Sequence, residues 1–266
     1  MTSPASLFLE AVVDVARVAG SVALAHFRTD LVAETKADGS PVTIADRGAE
    51  RAARDWITRR FPADGIVGEE LGEERHSAAR HWIVDPIDGT KSFIRGVPLW
   101  GTLIAVYEGA TVLAGAAYFP VIDEIVAASR GEGAWWNGVR CRVSSVNLLA
   151  EATVLTTDER FTDHAERRAR WRALADRAAL SRSWGDCFGY LMVATGRAEV
   201  MVDPVLSPWD AAPFIPIIAE AGGVFSDWNG SPTNFGGSAI ATNRELAVTV
   251  RTALGCPVDH LLEEGR

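Results

Sequence analysis

The stretch Asp85-Pro86-Ile87-Asp88-Gly89-Thr90 decides how this chain is read. It sets two carboxylates three residues apart, then a glycine, then a hydroxyl. The run His81-Trp82-Ile83-Val84 leads into it as a strand. Pro86 fixes φ and has no N–H, so regular structure is expected to stop there, with Asp85 at the strand end and Asp88 on the turn beyond. Two carboxylates this close repel each other unless a cation lies between them. Mg²⁺ answers that description, because it takes oxygen ligands and leaves room for water and phosphate. Gly89 and Thr90 then offer backbone N–H groups where a helix could begin, a ready seat for a phosphate.

Each piece also has a plainer reading. Asp-Gly is a common turn and Asp-Pro a common loop start. The other acids shift the balance. Gly68-Glu69-Glu70 follows the apolar pair Ile66-Val67, Trp209-Asp210 opens an apolar helical stretch running to about Ala221, and Asp46 closes Thr43-Ile44-Ala45-Asp46 at another helix start. An Asp in a first helical turn ordinarily complements the helix dipole, and an acidic pair after a strand is ordinarily a solvated corner. Four such places, one with a second carboxylate and a hydroxyl, read together as a metal-assisted phosphate site.

Composition narrows the class. The chain has 266 residues, 48% hydrophobic and 23% charged, ordinary for a soluble globular protein able to bury a substantial core. A net charge of −9 argues against a nucleic-acid binder. It would also repel a phosphate ester, so bound cations must reverse the potential locally. Cys141, Cys187 and Cys256 are widely separated and odd in number, which describes neither a disulfide framework nor a zinc site. The five histidines show no HExxH-like spacing. Met1 to Glu10 lacks a basic segment followed by a long apolar core, so no signal peptide is expected. Leu99 to Phe119 is apolar but broken by Glu108-Gly109, which fits two strands and a turn better than a membrane helix. A cytoplasmic enzyme is expected, with no membrane partner.

Periodicity predicts helices over Ser6 to Phe27 and Thr43 to Arg60, the second capped by Thr43. The polar segment Thr35 to Pro41, with Asp38-Gly39, is expected to be a loop able to close over a site. Short strands are expected around Ile66 and Ile83. A meander follows over Gly101 to Tyr107, Thr111 to Phe119, Glu124 to Ser129 and Ala134 to Trp136, turning at Glu108-Gly109 and Asn137-Gly138. The second half alternates: helices over Thr162 to Ala179, Gly185 to Thr195, Trp209 to Ala221 and Asn243 to Leu254, with strands at Ala198 to Val202, Val224 to Ser226 and Ala239 to Thr242. Layered α/β or α+β sheets are the expected class.

The chain resembles the inositol monophosphatase superfamily of Mg²⁺-dependent, lithium-sensitive phosphatases. Five blocks carry the resemblance along nearly the whole chain: TIAD at Thr43, GEE at Gly68, DPIDGT at Asp85, GEGAWWNG at Gly131 and WDAAP at Trp209. It implies a five-layer αβαβα sandwich of the inositol monophosphatase/fructose bisphosphatase type. The whole of 1–266 would be one phosphatase domain, 1–147 forming a metal-binding α+β half and 148–266 an α/β half that supplies Asp210 and the substrate pocket. A homodimer is implied in the same way. Within the superfamily, Asp88 to Ala105 and Arg182 to Tyr190 look most like the histidinol-phosphate phosphatase branch. Inositol-directed relatives usually carry a small neutral stretch where this chain has Trp184-Gly185-Asp186.

By resemblance, Glu69, Asp85 and the carbonyl of Ile87 would hold a first Mg²⁺, and Asp85 would bridge to a second held by Asp88 and Asp210. A third, weaker ion would use Glu69, and Mn²⁺ could substitute. Two cations about 4 Å apart can neutralise the ester, polarise a water and stabilise the leaving oxygen. The catalytic set is Thr90, Asp46 and Glu69, with Asp46 polarising the Thr90 hydroxyl, since a threonine is a poor base alone. Gly89, Thr90 and Lys91 are the expected phosphate contacts. Trp184, Gly185, Asp186, Asp203 and Asp210 are expected around the leaving group. Asp186 is the telling one, because a carboxylate there suits an ammonium or imidazolium better than a polyol, and histidinol has both. Inositol 1-phosphate, a nucleotide 3′-phosphate and fructose 1,6-bisphosphate are the rival esters. A non-catalytic phosphate- or inositol-binding module ranks low, because all four metal carboxylates are present.

Overall fold

A computed structural model describes residues 4–37 and 39–258. The elements run α1 Pro4–Leu24, β1 Glu34–Thr35, β2 Pro41–Val42, α2 Ile44–Arg60, β3 Gly65–Gly68, β4 Gly72–Glu74, β5 Arg80–Asp88 and α3 Thr90–Phe93. The meander is β6 Gly101–Glu108, β7 Thr111–Phe119, β8 Glu124–Ser129, β9 Gly133–Trp136 and β10 Val139–Arg140. Then come β11 Thr153–Thr156, α4 Ala165–Ala175, β12 Leu180–Arg182, α5 Asp186–Ala194, β13 Val200–Asp203, α6 Pro208–Ala211, α7 Phe214–Glu220, β14 Val224–Ser226, β15 Ala239–Thr242 and α8 Ala247–Leu254.

The strands form an eight-stranded sheet, in order β10-β9-β8-β7-β6-β5-β3-β4, and a five-stranded one, in order β12-β11-β13-β15-β14. The three larger apolar clusters among the described residues hold five layers together. Helices α1 and α2 bury Val12, Val15, Ala19, Ala49, Ala53 and Ile57 against one face of the large sheet. On its other face α5 and α7 fill the space between the sheets with Tyr190, Leu191, Phe214 and Ile217. The outer face of the small sheet is covered by α4 and α8 through Trp171, Leu174, Val250 and Leu254. The αβαβα layering expected from the resemblance is present.

Local chemistry explains where expectation and structure part. Pro86 does not end β5. The strand continues to Asp88 through a bulge, in which Asp85 pairs Leu103 and Asp88 pairs Gly101, so Pro86 and Ile87 oppose Thr102 alone. A bulge removes a ladder partner at the position where proline has no N–H to give. The Pro86 carbonyl is taken by the Thr102 hydroxyl at 2.8 Å. The helix expected over Trp209 to Ala221 is split into α6 and α7 around Pro213, which cannot continue the backbone hydrogen-bond ladder. The closing helix starts at Ala247, because Asn243 Oδ1 accepts the Leu246 N–H at 3.0 Å and holds 243–246 as a turn. Asn137 and Gly138 take φ of 48° and 78°, the mirror-image turn expected of Asn-Gly.

The ends of the expected loop, Thr35 to Pro41, pair in a short hairpin, Thr35 opposite Pro41. Its Asp38 lies outside the described residues. Strands β11 and β12 were not anticipated; they pair in parallel, so they lack a hairpin turn to announce them. No helix among the described residues is long and apolar enough to cross a membrane.

Candidate active site

The end of β5, Glu69 and the N-terminal ends of α3, α5 and α6 converge on one cavity of about 350 Å³, with Asp46 of α2 behind Thr90. Glu69, Asp85, Ile87, Asp88, Gly89, Thr90, Lys91, Asp186 and Asp210 line it, so most of the expected site residues are brought together. Carboxylate oxygens of Asp85, Asp88 and Asp210 lie within 4.8 Å of one another.

Each carboxylate is aimed by its own backbone. Asp85 Oδ1 accepts the Ile87 N–H at 2.9 Å across the bulge. Asp210 is the third residue of α6 and closes a capping box, Oδ2 accepting the Ser207 N–H at 3.0 Å. The N–H of Cys187, near the start of α5, reaches Asp88 Oδ2. Asp46 repeats the Asp210 device on α2: Oδ2 accepts from the Thr43 N–H at 2.7 Å and from the Thr43 hydroxyl at 2.6 Å, while Oδ1 lies 3.5 Å from the Thr90 hydroxyl. The Thr90 hydroxyl donates to the Ile87 carbonyl at 3.0 Å. Gly89 turns the chain at φ 86°, and a Cβ there would approach Asp186 Oδ2 to 3.2 Å.

Burial, compounded by neighbouring charge, disfavours ionisation throughout. Burial and the charges of Glu69, Asp210 and Asp88 push Asp85 well above the usual carboxylate range. Burial and the charge of Asp210 push Asp88 up to about 8. Asp210 is pushed up to about 7, chiefly by burial. Asp186 reaches about 8 through burial and the charge of Asp88. Oxygen donors that resist ionisation through burial and through one another's charge fit a hard divalent cation, whose charge reverses that logic.

Three residues expected at the substrate, Asp203, Trp184 and Gly185, do not line the cavity. Asp203 is buried and does not line the cavity: Oδ1 accepts the Thr157 N–H at 3.0 Å and Oδ2 the Tyr190 hydroxyl at 2.9 Å. It is linked to the cavity wall through Thr157, whose hydroxyl accepts the Asp186 N–H at 2.8 Å. Trp184 is exposed and also outside the lining. Gly185 is a packing position, where a Cβ would come within 2.2 Å of Thr157 Cα.

Lys36 was missed. Its ammonium lies 2.7 Å from Glu69 and 2.6 Å from Glu70. Burial works against its charge, yet hydrogen bonds to both carboxylates hold its pKa above the ordinary lysine value. A signal was there: Lys36 and Lys91 are the only lysines in the chain, and both stand at the site.

Residues 5–256 match the model of the inositol monophosphatase family. The chain belongs to the inositol monophosphatase family. It is a phosphatase of that family, whose members generally depend on divalent metal ions. It is 41% identical over 250 residues to a histidinol-phosphatase of Chlorobaculum parvum, covering 93% of this chain and 96% of that one. A histidinol-phosphatase of Mycobacterium tuberculosis is 39% identical over 230 residues, covering 85% and 88%. The solved inositol monophosphatase of Zymomonas mobilis superposes with a TM-score of 0.85 at 32% identity, covering 96% of this chain and all of that one.

Proposed function

We propose that this phosphatase hydrolyses L-histidinol phosphate to L-histidinol and phosphate, with Mg²⁺ as its ion. The observation that carries the substrate reading is Asp186, a carboxylate set beside Gly89 in the wall of the cavity that holds Asp85, Asp88 and Asp210. A neighbouring ammonium or imidazolium on the leaving group would favour the ionised form of Asp186 that burial and Asp88 oppose, whereas a polyol would not. The likeness to two histidinol-phosphatases supports the same substrate.

Glu69, Asp85, the Ile87 carbonyl, Asp88 and Asp210 would hold the cations. When bound, these would neutralise the ester dianion and ease deprotonation of the attacking water. The chain's own residues do the rest. Thr90 would turn its hydroxyl proton from the Ile87 carbonyl to Asp46 Oδ1 and take one from the attacking water, while Asp46 Oδ2 stays on the helix cap. Burial raises the Asp46 pKa, which makes it a better proton acceptor than an exposed aspartate. The first amides of α3, at Thr90 and Lys91, precede its first intrahelical bond and would be open to phosphate oxygens. The reading further takes 1–266 as one phosphatase domain, its second half supplying Asp210, in a homodimer, points that rest on the resemblance, and takes it as cytoplasmic.

Replacing Asp186 by alanine tests the substrate. The expected loss in kcat/KM is about 30-fold or more on histidinol phosphate, the cost of stranding a desolvated charge, and much smaller on an aryl phosphate. Equal losses on both would remove Asp186 as the reader of the leaving group.

A further inference from the structure

Helix α2 carries a buried ion pair that the chemistry above does not use. Glu50 is wholly buried and Arg54, one turn on, is 6% exposed; Arg54 Nε lies 2.7 Å from Glu50 Oε1. Such a pair is a weak source of stability, because desolvation offsets the attraction. Its other bonds run to the corner that bears Glu69 and to the strand β4 that follows it. Glu50 Oε2 accepts the Glu70 N–H at 2.7 Å and Oε1 the Leu71 N–H at 3.2 Å. Arg54 donates to the Gly72 carbonyl and lies 2.9 Å from the Glu74 carboxylate. On the other side of Glu69, a Cβ at Gly68 would sit 1.9 Å from Glu50 Oε1, so the glycine is what admits the carboxylate. Asp46 lies one turn before Glu50 on the same helix. One rigid element therefore sets both the Asp46–Thr90 pair and the corner of Glu69.

We propose that Glu50 and Arg54 are positioning residues that fix the Glu69 carboxylate for cation binding, an inference that rests on the reading of Glu69 as a metal ligand. Partners of this kind tune metal affinity by about 10–100-fold without touching the ion.

The test is Mn²⁺ binding to the full chain, followed by electron paramagnetic resonance of the free ion, with folding checked by circular dichroism. The double variant Glu50→Leu/Arg54→Met fills the same space with apolar groups, a change that buried ion pairs commonly tolerate. It is expected to weaken Mn²⁺ binding about tenfold or more, with activity recovering toward wild type at saturating cation. Glu50→Gln, which keeps the shape and loses the charge, is expected to move affinity the same way by less, and it carries the test should the double variant not fold. Glu69→Gln is the reference and should weaken binding on its own. Folded Glu50 or Arg54 variants with wild-type Mn²⁺ affinity, beside a weakened Glu69→Gln, would overturn the positioning role alone. Unchanged binding in Glu69→Gln would overturn the ligand reading and this inference with it.

Discussion

Asp46 and Asp210 share one device, each closing a capping box with one oxygen. The other oxygen of Asp46 is turned to Thr90, and Asp210 reaches Asp85 and Asp88. Cap and site are therefore not rival roles for these residues. Asp46→Asn keeps an oxygen able to accept from Thr43, so its stability should fall by no more than about 1 kcal/mol in urea unfolding. Its kcat should fall about 10²-fold or more, since an amide cannot take the proton. Asp88→Asn should abolish phosphate release while circular dichroism stays unchanged; wild-type turnover would contradict its place at the metal. The motifs DPIDGT, GEE and WDAAP made these residues legible. Where a side chain points was not legible. Asp203 was expected at the substrate and faces Thr157 and Tyr190 instead, and Lys36 reads in sequence as one more charge in a polar loop.

Elements were legible wherever periodicity was long and caps were explicit, as in α2 and the β6–β9 meander. They were misread where a single residue competes with the pattern. Pro86 looks like a strand end until the bulge supplies a place for it, and Pro213 divides a stretch that is apolar throughout. The start of α5 shows how little slack an element has near the site. Gly185→Ala would drive a Cβ into the Thr157 backbone, displacing Asp186 and the Cys187 N–H that bonds Asp88. It should cost about 1–3 kcal/mol and lower activity together. Gly48→Ala, in mid-helix with only ordinary contact to Val22 at 3.5 Å, should instead stabilise by about 0.5–1 kcal/mol with activity unchanged. Urea unfolding and phosphate release on both variants check the contrast.

Across the whole molecule, the fold gathers acids from both sheet regions into a protein already at net charge −9. Without a cation this arrangement opposes folding at neutral pH. In the folded state burial and neighbouring charge push Asp88 up to about 8, and burial above all pushes Asp210 up to about 7, against about 3.9 for an unfolded aspartate. Between these limits the native state binds more protons than the unfolded one, so stability falls as pH rises from about 4 to about 8. The melting temperature of EDTA-treated protein should therefore drop across that window, and Mg²⁺ should raise it more at pH 8 than at pH 5. A flat profile would mean that the cluster is not held as described. The layers and the acid cluster were readable because recurring motifs mark element ends. The depth of burial that shifts these pKa values was not, because it arises only when both sheets pack.

The most direct measurement is phosphate release with Mg²⁺ from L-histidinol phosphate and from inositol 1-phosphate, side by side, each with an EDTA control. A kcat/KM at least about 10²-fold higher for histidinol phosphate, lost on chelation, is the predicted result, because a site built around a charged partner rejects a neutral one strongly. Equal or greater turnover of inositol 1-phosphate, or turnover that survives EDTA, would contradict the account.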